Sequence, residues 1–366
     1  KADPVTLELF NSAFMSIAQQ MGIVLRNTSQ SVNVKERLDF SCAIFDAAGN
    51  LIANAPHVPV HLGSMDASVK VIINGPQSIN AGDVFVQNNP YNGGSHLPDI
   101  TVITPVFDSA NANILFYVAS RAHHEDVGGI APGSMSSLAT DIHQEGILLD
   151  SVKLVEQGRF QTTRLENLFS SGDYPARNIA QNMADLMAQT AANKRGVNEL
   201  LKLVEQHSLR TVYAYMQHIQ DNAKTSIQKV LARLEDGEFS YPLESGAIIV
   251  VKISIDKITL RAAIDFTGTS AQQNNNLNAP KAITQAAVMY VFRCLVNDDV
   301  PLNAGCMQAL DIIVPEGSIL NPYFPAAVVA GNVETSQAVT NALFAALGVL
   351  GSSQGTMNNL TFGNQR

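Results

Sequence analysis

The sequence lacks the features that mark membrane and nucleic-acid-binding proteins. Its 366 residues contain no tryptophan, and no apolar run approaches the ~20 residues that a membrane-spanning helix needs. Lysine and arginine are scattered and the formal net charge is −9, so no basic face is available for a nucleic acid or an anionic membrane. We therefore expect a globular protein with neither partner, and 46% apolar residues provide for a large core.

Two further absences concern cysteine and nucleotide chemistry. Cys42, Cys294 and Cys306 form no Cys-x-x-Cys pair, which favours reduced structural thiols and a cytoplasmic location. No phosphate loop and no Gly-x-Gly-x-x-Gly string occurs, so no recognisable motif binds ATP or a dinucleotide. Residues 351–355 match Gly-x-Ser-x-Gly, but a predicted helix precedes them where a nucleophile elbow needs a strand, so we predict a turn there.

Hydrophobic periodicity predicts both helices and strands. Apolar side chains at three- and four-residue steps indicate helices, and β-branched runs beside turn residues indicate strands. The predicted helices cover residues 5–28, 62–74, most of 162–236, 281–297 and 335–350. The predicted strands cover residues 37–46 with a short apolar run after them, 84–86, 100–107, 114–119, 247–254 and 259–266.

The order of these elements indicates the fold class. Strands and helices are interspersed without a regular βαβ rhythm, which predicts a mixed α/β or α+β protein with a long helical segment in the middle. A weakly marked boundary divides the chain into residues 1–240, which carry the candidate site, and a second α/β region at 241–366. Nothing at residues 362–366 resembles a natural terminus, so we expect the second region to be truncated in this sequence.

Histidines are concentrated in one part of the chain, since six of the eight lie in its first 143 residues. His96 and Asp99 precede the strand predicted over 100–107, and His123 follows the strand predicted over 114–119. In an antiparallel hairpin the start of the first strand lies beside the end of the second, so these three side chains should converge. Two imidazoles and one carboxylate suit a divalent Mn, Zn or Fe ion.

The histidine cluster also has a structural explanation, because His-x-x-Asp pairs are common in proteins. If a metal binds, Asp126 and Glu145 are candidates for a general base or for orienting a ligand. His124 is either a packing neighbour or part of the site. His57 and His61 either line the same pocket or cap a helix.

A stripe of polar residues recurs at helical spacing within 178–193. A solvated helix face is the ordinary interpretation of such a stripe. The alternative is a face toward a buried polar cavity, because amides stand where lysine and glutamate usually occur. The stripe consists of Asn178, Asn182, Asp185, Gln189 and Asn193.

Three features are candidates for holding an anionic substrate. Arg177 lies just ahead of the polar stripe, and its guanidinium can bind a carboxylate through two hydrogen bonds. The polar segments 274–280 and 331–337 each open a predicted helix, and helix N-termini favour anions. Helix capping alone also explains these two segments.

Several long motifs together resemble the hydantoinase B/oxoprolinase family, and most of all its 5-oxoprolinase branch. The resemblance covers essentially the whole chain. The motifs are NVKERLDFSC at 33–42, HVPVHLGSM at 57–65, NPYNGGSHLPD at 89–99, AHHEDVGG at 122–129, DFTGTS at 265–270, GNVETSQ at 331–337 and SQGTMNN at 353–359. Two departures are the absence of the family's C-terminal glycine-rich section and Gln144-Glu145 in place of paired glutamates.

The resemblance implies an activity and its partners. The implied reaction is ATP-dependent hydrolysis of a lactam, 5-oxo-L-proline, to L-glutamate in a homo- or hetero-oligomer. ATP and Mg would be bound by a hydantoinase A-like domain or subunit, in agreement with the missing phosphate loop. An N-methylhydantoinase or an acetone- or acetophenone-type carboxylase subunit is the alternative enzyme. A non-catalytic scaffold that docks the ATPase domain is a third interpretation.

The resemblance also implies residue roles. In the carboxylase relatives a His-x-x-Asp pair and a later histidine hold the metal, a pattern that falls on His96, Asp99 and His123. His123 is preferred to His124 because it lies three residues before Asp126. The expected catalytic residues are Asp126, His124 and Glu145, and the expected substrate-binding residues are Arg121, Arg177, His57, His61, Ser41, Asn332 and Glu334.

Overall fold

The computed structural model describes residues 3–54, 58, 61, 63–297, 301–353 and 355–356. These residues form two β-sheets with helices packed against both, which confirms the predicted mixed α+β class. The helices are α1 (Pro4–Thr28), α2 (Val32–Lys35), α3 (Met65–Asn74), α4 (Thr162–Phe169), α5 (Ile179–His207), α6 (Leu209–Leu231), α7 (Lys281–Cys294) and α8 (Glu334–Leu347). The strands are β1 (Phe40–Asp46), β2 (Leu51–Asn54), β3 (Val84–Gln87), β4 (Asp99–Phe107), β5 (Ile114–His123), β6 (Val152–Glu156), β7 (Arg159–Phe160), β8 (Gly237–Pro242), β9 (Ile248–Asp256), β10 (Arg261–Asp265) and β11 (Leu310–Ile313).

The first sheet has seven strands in the order β2-β1-β5-β4-β3-β6-β7, and all neighbours are antiparallel. Helices α1 and α5 pack on one of its faces and α3 on the other. Because successive side chains alternate between the faces, residues of the central β4–β5 hairpin point in turn toward α5 and toward α3. The hairpin is therefore buried on both sides, and polar residues on it must find partners within the protein.

The second sheet has the order β11-β10-β9-β8, with β10 and β11 parallel and the other pairs antiparallel. Strand β9 alternates between buried and exposed residues, as expected for a strand with one covered face. Helices α7 and α8 cover that face. Helix α6 joins the two cores, because its first half packs in one and its second half in the other through Val212, Met216 and Ile219, then Ala223, Ile227 and Leu231.

The predicted elements match the structure best where apolar periodicity is long. The helix predicted over 5–28 is α1, and the segment 162–236 contains three helices rather than one run. Strands β6, β7, β8 and β11 were not predicted, because each is only two to six residues long and β8 is mostly exposed. Residue 240 lies inside β8, and the division of the chain there remains a prediction.

The polar stripe on α5 faces the first sheet. Asn182, Asp185, Gln189 and Asn193 are all buried, so the solvated-face interpretation is wrong for these four residues. Gln189 Nε2 donates to the backbone oxygens of Ile100 (2.9 Å) and Ser120 (3.0 Å), and Asn193 Nδ2 donates to that of Val102 (2.9 Å). A carbonyl oxygen has two lone pairs, so it can accept from one of these amides as well as from the backbone of the neighbouring strand. The stripe fixes α5 to the back of the β4–β5 hairpin.

This attachment predicts the effect of a Gln189→Leu substitution. The change removes two hydrogen bonds to the sheet and one of the two amide partners of the buried His124 ring, so we expect a loss of about 2–4 kcal/mol in unfolding free energy. Urea denaturation measures the loss. Gln206→Leu makes the same chemical change at an exposed position of the same helix and should cost under about 0.5 kcal/mol. Equal effects of the two substitutions would contradict a structural role of the stripe.

Candidate metal centre

Strand register brings Asp99 and His123 together. Asp99 begins β4 and lies directly opposite His123 at the end of β5. Both side chains belong to the alternation that faces α3, together with the paired residues Thr101 and Arg121. The predicted convergence at the open end of the hairpin is therefore present in the structure.

His96 completes a compact group of three side chains. Its Nδ1 lies 3.0 Å from Asp99 Oδ2, and His123 Nδ1 lies 3.4 Å from Asp99 Oδ1. One potential ligand atom from each of the three residues lies within 4.8 Å of the other two. His96 and Asp99 are buried, while the side chain of His123 keeps 14% of its surface exposed. The group is thus closed on the protein side and open on one side only.

One glycine allows the segment before Asp99 to approach α3. Gly93 has a φ of +84°, and a Cβ at that position would lie 2.7 Å from the backbone of Ala67 and Ser68. A larger residue would push the segment away from the helix. Asn88 Nδ2 donates to the backbone oxygen of Leu97 (2.8 Å) and fixes the other end of the segment. His96 is therefore held by backbone contacts on both sides.

The charges within this group depend on one another. Burial opposes ionisation of Asp99, but the histidines around it outweigh burial and hold its pKa well below its usual range. Burial lowers the pKa of His96 despite the carboxylate beside it. Burial also acts against charge on His123, yet the hydrogen bond and charge of Asp99 raise the pKa of that imidazole. The group therefore presents an ionised carboxylate and a neutral His96, which are the forms that bind metals.

Two buried polar atoms of this group lack an ordinary hydrogen bond, and this bears on whether the residues fit a divalent cation. His96 Nδ1 and Asp99 Oδ1 are both buried and have no hydrogen bond of ordinary geometry to any described residue. Buried polar atoms without partners are costly, and a shared cation satisfies an imidazole nitrogen and a carboxylate oxygen together. The donor set of two imidazoles and one carboxylate suits Mn, Zn or Fe.

His61 and Ser41 extend the group behind the carboxylate. His61 Nε2 lies 3.2 Å from Asp99 Oδ2, and Ser41 Oγ lies 3.1 Å from His61 Nδ1. A proton on Nε2 lets His61 donate to Asp99 while its Nδ1 accepts from the Ser41 hydroxyl. Ser95 Oγ donates to the same carboxylate at 2.6 Å. Ser41, predicted to bind substrate, is instead fully buried behind His61.

Asp39 is a site residue that the sequence analysis missed. It precedes β1, its backbone oxygen accepts from His123 N (3.0 Å), and its Oδ2 lies 3.9 Å from His123 Nδ1. Strand β1 pairs with β5, with Phe40 opposite Ala122, and this pairing places Asp39 beside the histidine. Predicting that pairing would have required tertiary information, because β1 and β5 are far apart in the sequence and the neighbour of β1 along the chain is β2.

His124 points to the opposite face of the sheet from His123. Its Nε2 lies 3.1 Å from Gln189 Oε1 and its Nδ1 lies 3.1 Å from Asn182 Nδ2, so both ring nitrogens are engaged by α5. Burial is the main cause of its lowered pKa. The structure does not bring His124 to the group around Asp99, although it is the next residue to His123.

Asp126 and Arg177 bind each other at 2.8 Å. The Asp126 carboxylate also accepts from the backbone of Gly128 and Gly133, both at 2.9 Å, and Arg177 donates to the oxygen of Gly129 (2.7 Å). In the structure Asp126, predicted to be catalytic, and Arg177, predicted to bind a carboxylate, together fix a glycine-rich loop.

Arg121 is buried in the sheet rather than exposed to a substrate. Its guanidinium donates to Thr101 Oγ1 (2.7 Å), to Ser68 Oγ (2.8 Å) and to the hydroxyl of Ser64. Burial lowers its pKa to about 10, with the charge of Asp99 acting in the other direction. The positive charge of Arg121 therefore compensates part of the negative charge of Asp99 from within the sheet.

Glu145 lies in the core between two segments of backbone. Its Oε1 accepts from the backbone nitrogens of Val328 (2.9 Å) and Val329 (2.8 Å), and its Oε2 has no partner among the described residues. Burial raises the pKa of this carboxyl to about 8. Glu145 is thereby placed as a clamp on the 3₁₀ helix Val329–Asn332, outside the group around Asp99.

A cavity of about 590 Å³ opens in front of His96, Asp99 and His123. Asn332 lines it at the start of α8, and its Oδ1 is buried without a partner among the described residues. Glu334 lies beside this segment and accepts a hydrogen bond from Thr356. His57 lies outside the described residues, so its predicted place in the pocket stays a prediction.

None of the helices in the described part of the chain is both long enough and apolar enough to cross a bilayer. This finding agrees with the absence of a long apolar run in the sequence.

Comparison with known proteins defines the class of this fold and site. The family model described as "Hydantoinase B/oxoprolinase" matches residues 3–366, and the chain belongs to that family. The crystal structure of an ATP-dependent caprolactamase from Pseudomonas jessenii has the same fold, with a TM-score of 0.81 at 24% identity. That match covers 94% of this chain and 61% of the caprolactamase chain.

Two curated relatives are more similar in sequence. The 5-oxoprolinase 1 of Arabidopsis thaliana is 47% identical over 99% of this chain, which corresponds to 30% of the relative. The 5-oxoprolinase of Saccharomyces cerevisiae is also 47% identical over 99% of this chain, or 29% of the relative. The chain therefore spans less than a third of these proteins and corresponds to one part of a larger protein or complex.

The buried Glu145 predicts a pH dependence of stability. Its pKa is about 8 in the folded protein and about 4.3 in an unfolded chain, so the folded state binds more protons between these values. Stability is therefore highest below the unfolded pKa and is lost as the pH rises through about 8, by roughly 3–5 kcal/mol in total. Thermal unfolding midpoints at pH 5 and pH 8.5 measure the loss.

Glu145→Gln should remove most of this difference, since the amide oxygen can still accept from the two valine nitrogens and carries no charge. The matched control is Glu244→Gln, on the exposed turn between β8 and β9. The unfolding midpoint of this control should fall between pH 5 and pH 8.5 as that of the unmodified protein does. The assignment of a raised pKa to Glu145 fails if both variants keep the same pH dependence.

Proposed function

We propose that His96, Asp99 and His123 hold a divalent Mn, Zn or Fe ion, with Asp39 as a further candidate ligand. The proposal is supported by the convergence of the three ligand atoms and by the two orphaned polar atoms among them. Such an ion supplies Lewis acidity, either by polarising a substrate oxygen or by lowering the pKa of water. A buried carboxylate with three imidazoles around it is otherwise an expensive arrangement for a protein to maintain.

The reaction we propose is hydrolysis of 5-oxo-L-proline to L-glutamate, driven by ATP. The observation that carries it is the 47% identity to two proteins named 5-oxoprolinase along 99% of this chain. A lactam is stabilised by resonance, and transfer of a phosphoryl group to its oxygen activates it. One water opens the ring as the C–N bond breaks and nitrogen takes a proton. A second water releases phosphate, so that the products are glutamate, ADP and phosphate.

This chain's own residues would bind and orient the activated lactam. Ser41 and His61 fix the carboxylate of Asp99 through two successive hydrogen bonds, which keeps the group rigid during turnover. Asn332 Oδ1 is a buried acceptor on the wall of the cavity without a partner among the described residues, and it suits the N–H that forms when the ring nitrogen takes a proton. Because His96 and Asp99 are buried in the protein, water can reach the group only from the cavity.

The activating step would take place on a different part of the enzyme. The sequence has no phosphate loop, and the chain spans about 30% of the named relatives. We propose that a hydantoinase A-like domain or subunit binds ATP and Mg and passes the activated lactam to this cavity. A homo- or hetero-oligomeric assembly and a cytoplasmic location remain predictions from the sequence, as does the division of the chain near residue 240.

Two other functions remain distinguishable by experiment. A hydantoinase or a ketone carboxylase subunit would use the same pocket on another substrate, but the two relatives compared at 47% identity are named for 5-oxoproline. A scaffold that only docks the ATPase part would need no metal. The orphaned atoms of His96 and Asp99 favour an enzyme over a scaffold.

The metal proposal predicts about one divalent ion per chain in the assembled enzyme, measured by elemental analysis. His96→Ala and Asp99→Asn should each lose the ion and reduce 5-oxoproline turnover at least about 100-fold, with ATP binding unchanged. His218→Ala, which removes a histidine from α6, is the control and should retain both properties. Full activity in a metal-free His96→Ala enzyme would refute the proposal.

The substrate proposal predicts a clear order of activities. In the presence of ATP, the assembled enzyme should release glutamate from 5-oxo-L-proline at a kcat/KM at least tenfold above its value for N-methylhydantoin, and should not consume acetone. Coupled ADP formation and glutamate release are the measurements. Faster turnover of N-methylhydantoin or acetone would contradict 5-oxoproline as the substrate and would leave the metal proposal unaffected.

A further inference from the structure

The cavity in front of the proposed metal group carries three carboxylates, although the proposed substrate is an anion. Asp39, Asp99 and Glu125 all line it. The proposed substrate carries a carboxylate, and its activated form also carries a phosphoryl group. Negative ligands in a site of this kind need a positive partner besides the metal.

Neither of the arginines expected from the sequence is available for that purpose. The guanidinium of Arg121 is buried and donates to three hydroxyl groups. Arg177 is paired with Asp126 and does not line the cavity. Both side chains would have to give up existing partners to bind a substrate.

Arg37 is the one lysine or arginine among the described residues that line the cavity. It follows α2, where Leu38 turns the chain with a φ of +56° toward Asp39 and β1. Its side chain is exposed and makes a 3.2 Å hydrogen bond from one terminal nitrogen to Asn33 Oδ1. No carboxylate among the described residues lies within ion-pair distance of it, so most of its five donors are open to a ligand.

Two contacts hold Arg37 at the mouth of the cavity. Glu125 Oε1 accepts from the backbone nitrogen of Val32 at 2.6 Å and so fixes the start of α2. The backbone nitrogen of Arg37 donates to the oxygen of Val32 at 3.1 Å. Arg37 lines the same cavity as His96, Asp99 and His123. An anion bound by Arg37 would therefore share the cavity with the proposed metal ligands.

We infer that Arg37 is the anion-binding residue of this cavity and holds a negatively charged group of the substrate while the lactam is opened. The inference rests on the proposed function for the identity of the substrate. A guanidinium binds carboxylate and phosphoryl oxygens with the same two-point geometry, so either group can be the anion. The unpaired donors, their place at the mouth and the acidic lining carry the inference.

The test compares Arg37→Gln and Arg37→Lys in the assembled enzyme, with 5-oxo-L-proline and its neutral carboxamide as substrates. If Arg37 holds the carboxylate, Arg37→Gln should raise KM for 5-oxo-L-proline at least tenfold and leave KM for the carboxamide unchanged. If it holds the phosphoryl group, kcat should fall at least tenfold with both substrates. Arg37→Lys keeps the positive charge but loses the two-point hydrogen bonding of the guanidinium. In either case its kinetic constants should lie between those of the unmodified enzyme and those of Arg37→Gln.

Controls separate this inference from folding and from the proposed function. Arg26→Gln removes an exposed arginine that also contacts a single asparagine side chain, at 3.4 Å, and should behave as the unmodified enzyme. Metal content measured in each variant shows whether the site is intact. Unchanged kcat and KM for both substrates in metal-loaded Arg37→Gln would overturn the inference alone. Absence of 5-oxoproline turnover in the unmodified enzyme would instead overturn the proposed function, and calorimetric titration with inorganic phosphate would still test Arg37.

Discussion

The site depends on one buried charge, the carboxylate of Asp99. A carboxylate fully removed from water is unfavourable unless several donors or a cation surround it. Here His61, His96 and His123 approach it from three sides, and Ser95 donates to it directly. The low pKa of Asp99 follows from these partners. Removing the carboxylate would leave three imidazoles without the group that orients them, which makes Asp99 the residue on which the others rely.

The sheet around Asp99 supports this arrangement from both faces. On the α3 side, Arg121 belongs to the second residue pair after the Asp99–His123 pair, and its positive charge offsets part of the buried negative charge. On the α5 side, Gln189 binds the backbone of both hairpin strands and the ring of His124. Two consecutive histidines thus lie on opposite faces of the sheet, because alternation along β5 and the turn that follows place His123 at the cavity and His124 against the helix. The rigidity of the hairpin comes from amide hydrogen bonds rather than from apolar packing alone.

The sequence was sufficient for those parts of the site that follow from local geometry. The convergence of Asp99 with His123 needs only an antiparallel hairpin, and the patterns on both strands predict one. Asp39 and His61 depend on the pairing of β1 with β5 and on the path before α3, which local periodicity does not specify. The roles of the arginines depend on which side chains lie within reach, so Arg121 was predicted at a substrate and is found in the core. The fold class was predictable because the longest helices carry the clearest periodicity. The strands that were missed, of two to six residues, are too short to show a clear pattern.

The cavity also joins the two cores of the protein. The group around Asp99 belongs to the first sheet, whereas Asn332 lies on the 3₁₀ helix that leads into α8 over the second sheet. Glu145 connects the two by accepting from the first backbone nitrogens of that 3₁₀ helix. Helix α6, which packs in both cores, fixes their separation on the other side. The proposed metal ligands and the proposed substrate contact therefore rest on different parts of the fold. A change at Glu145 can displace the contact from Asn332 while Asp99 and its histidines stay in place, because no hydrogen bond or ion pair among the described residues links Glu145 to them.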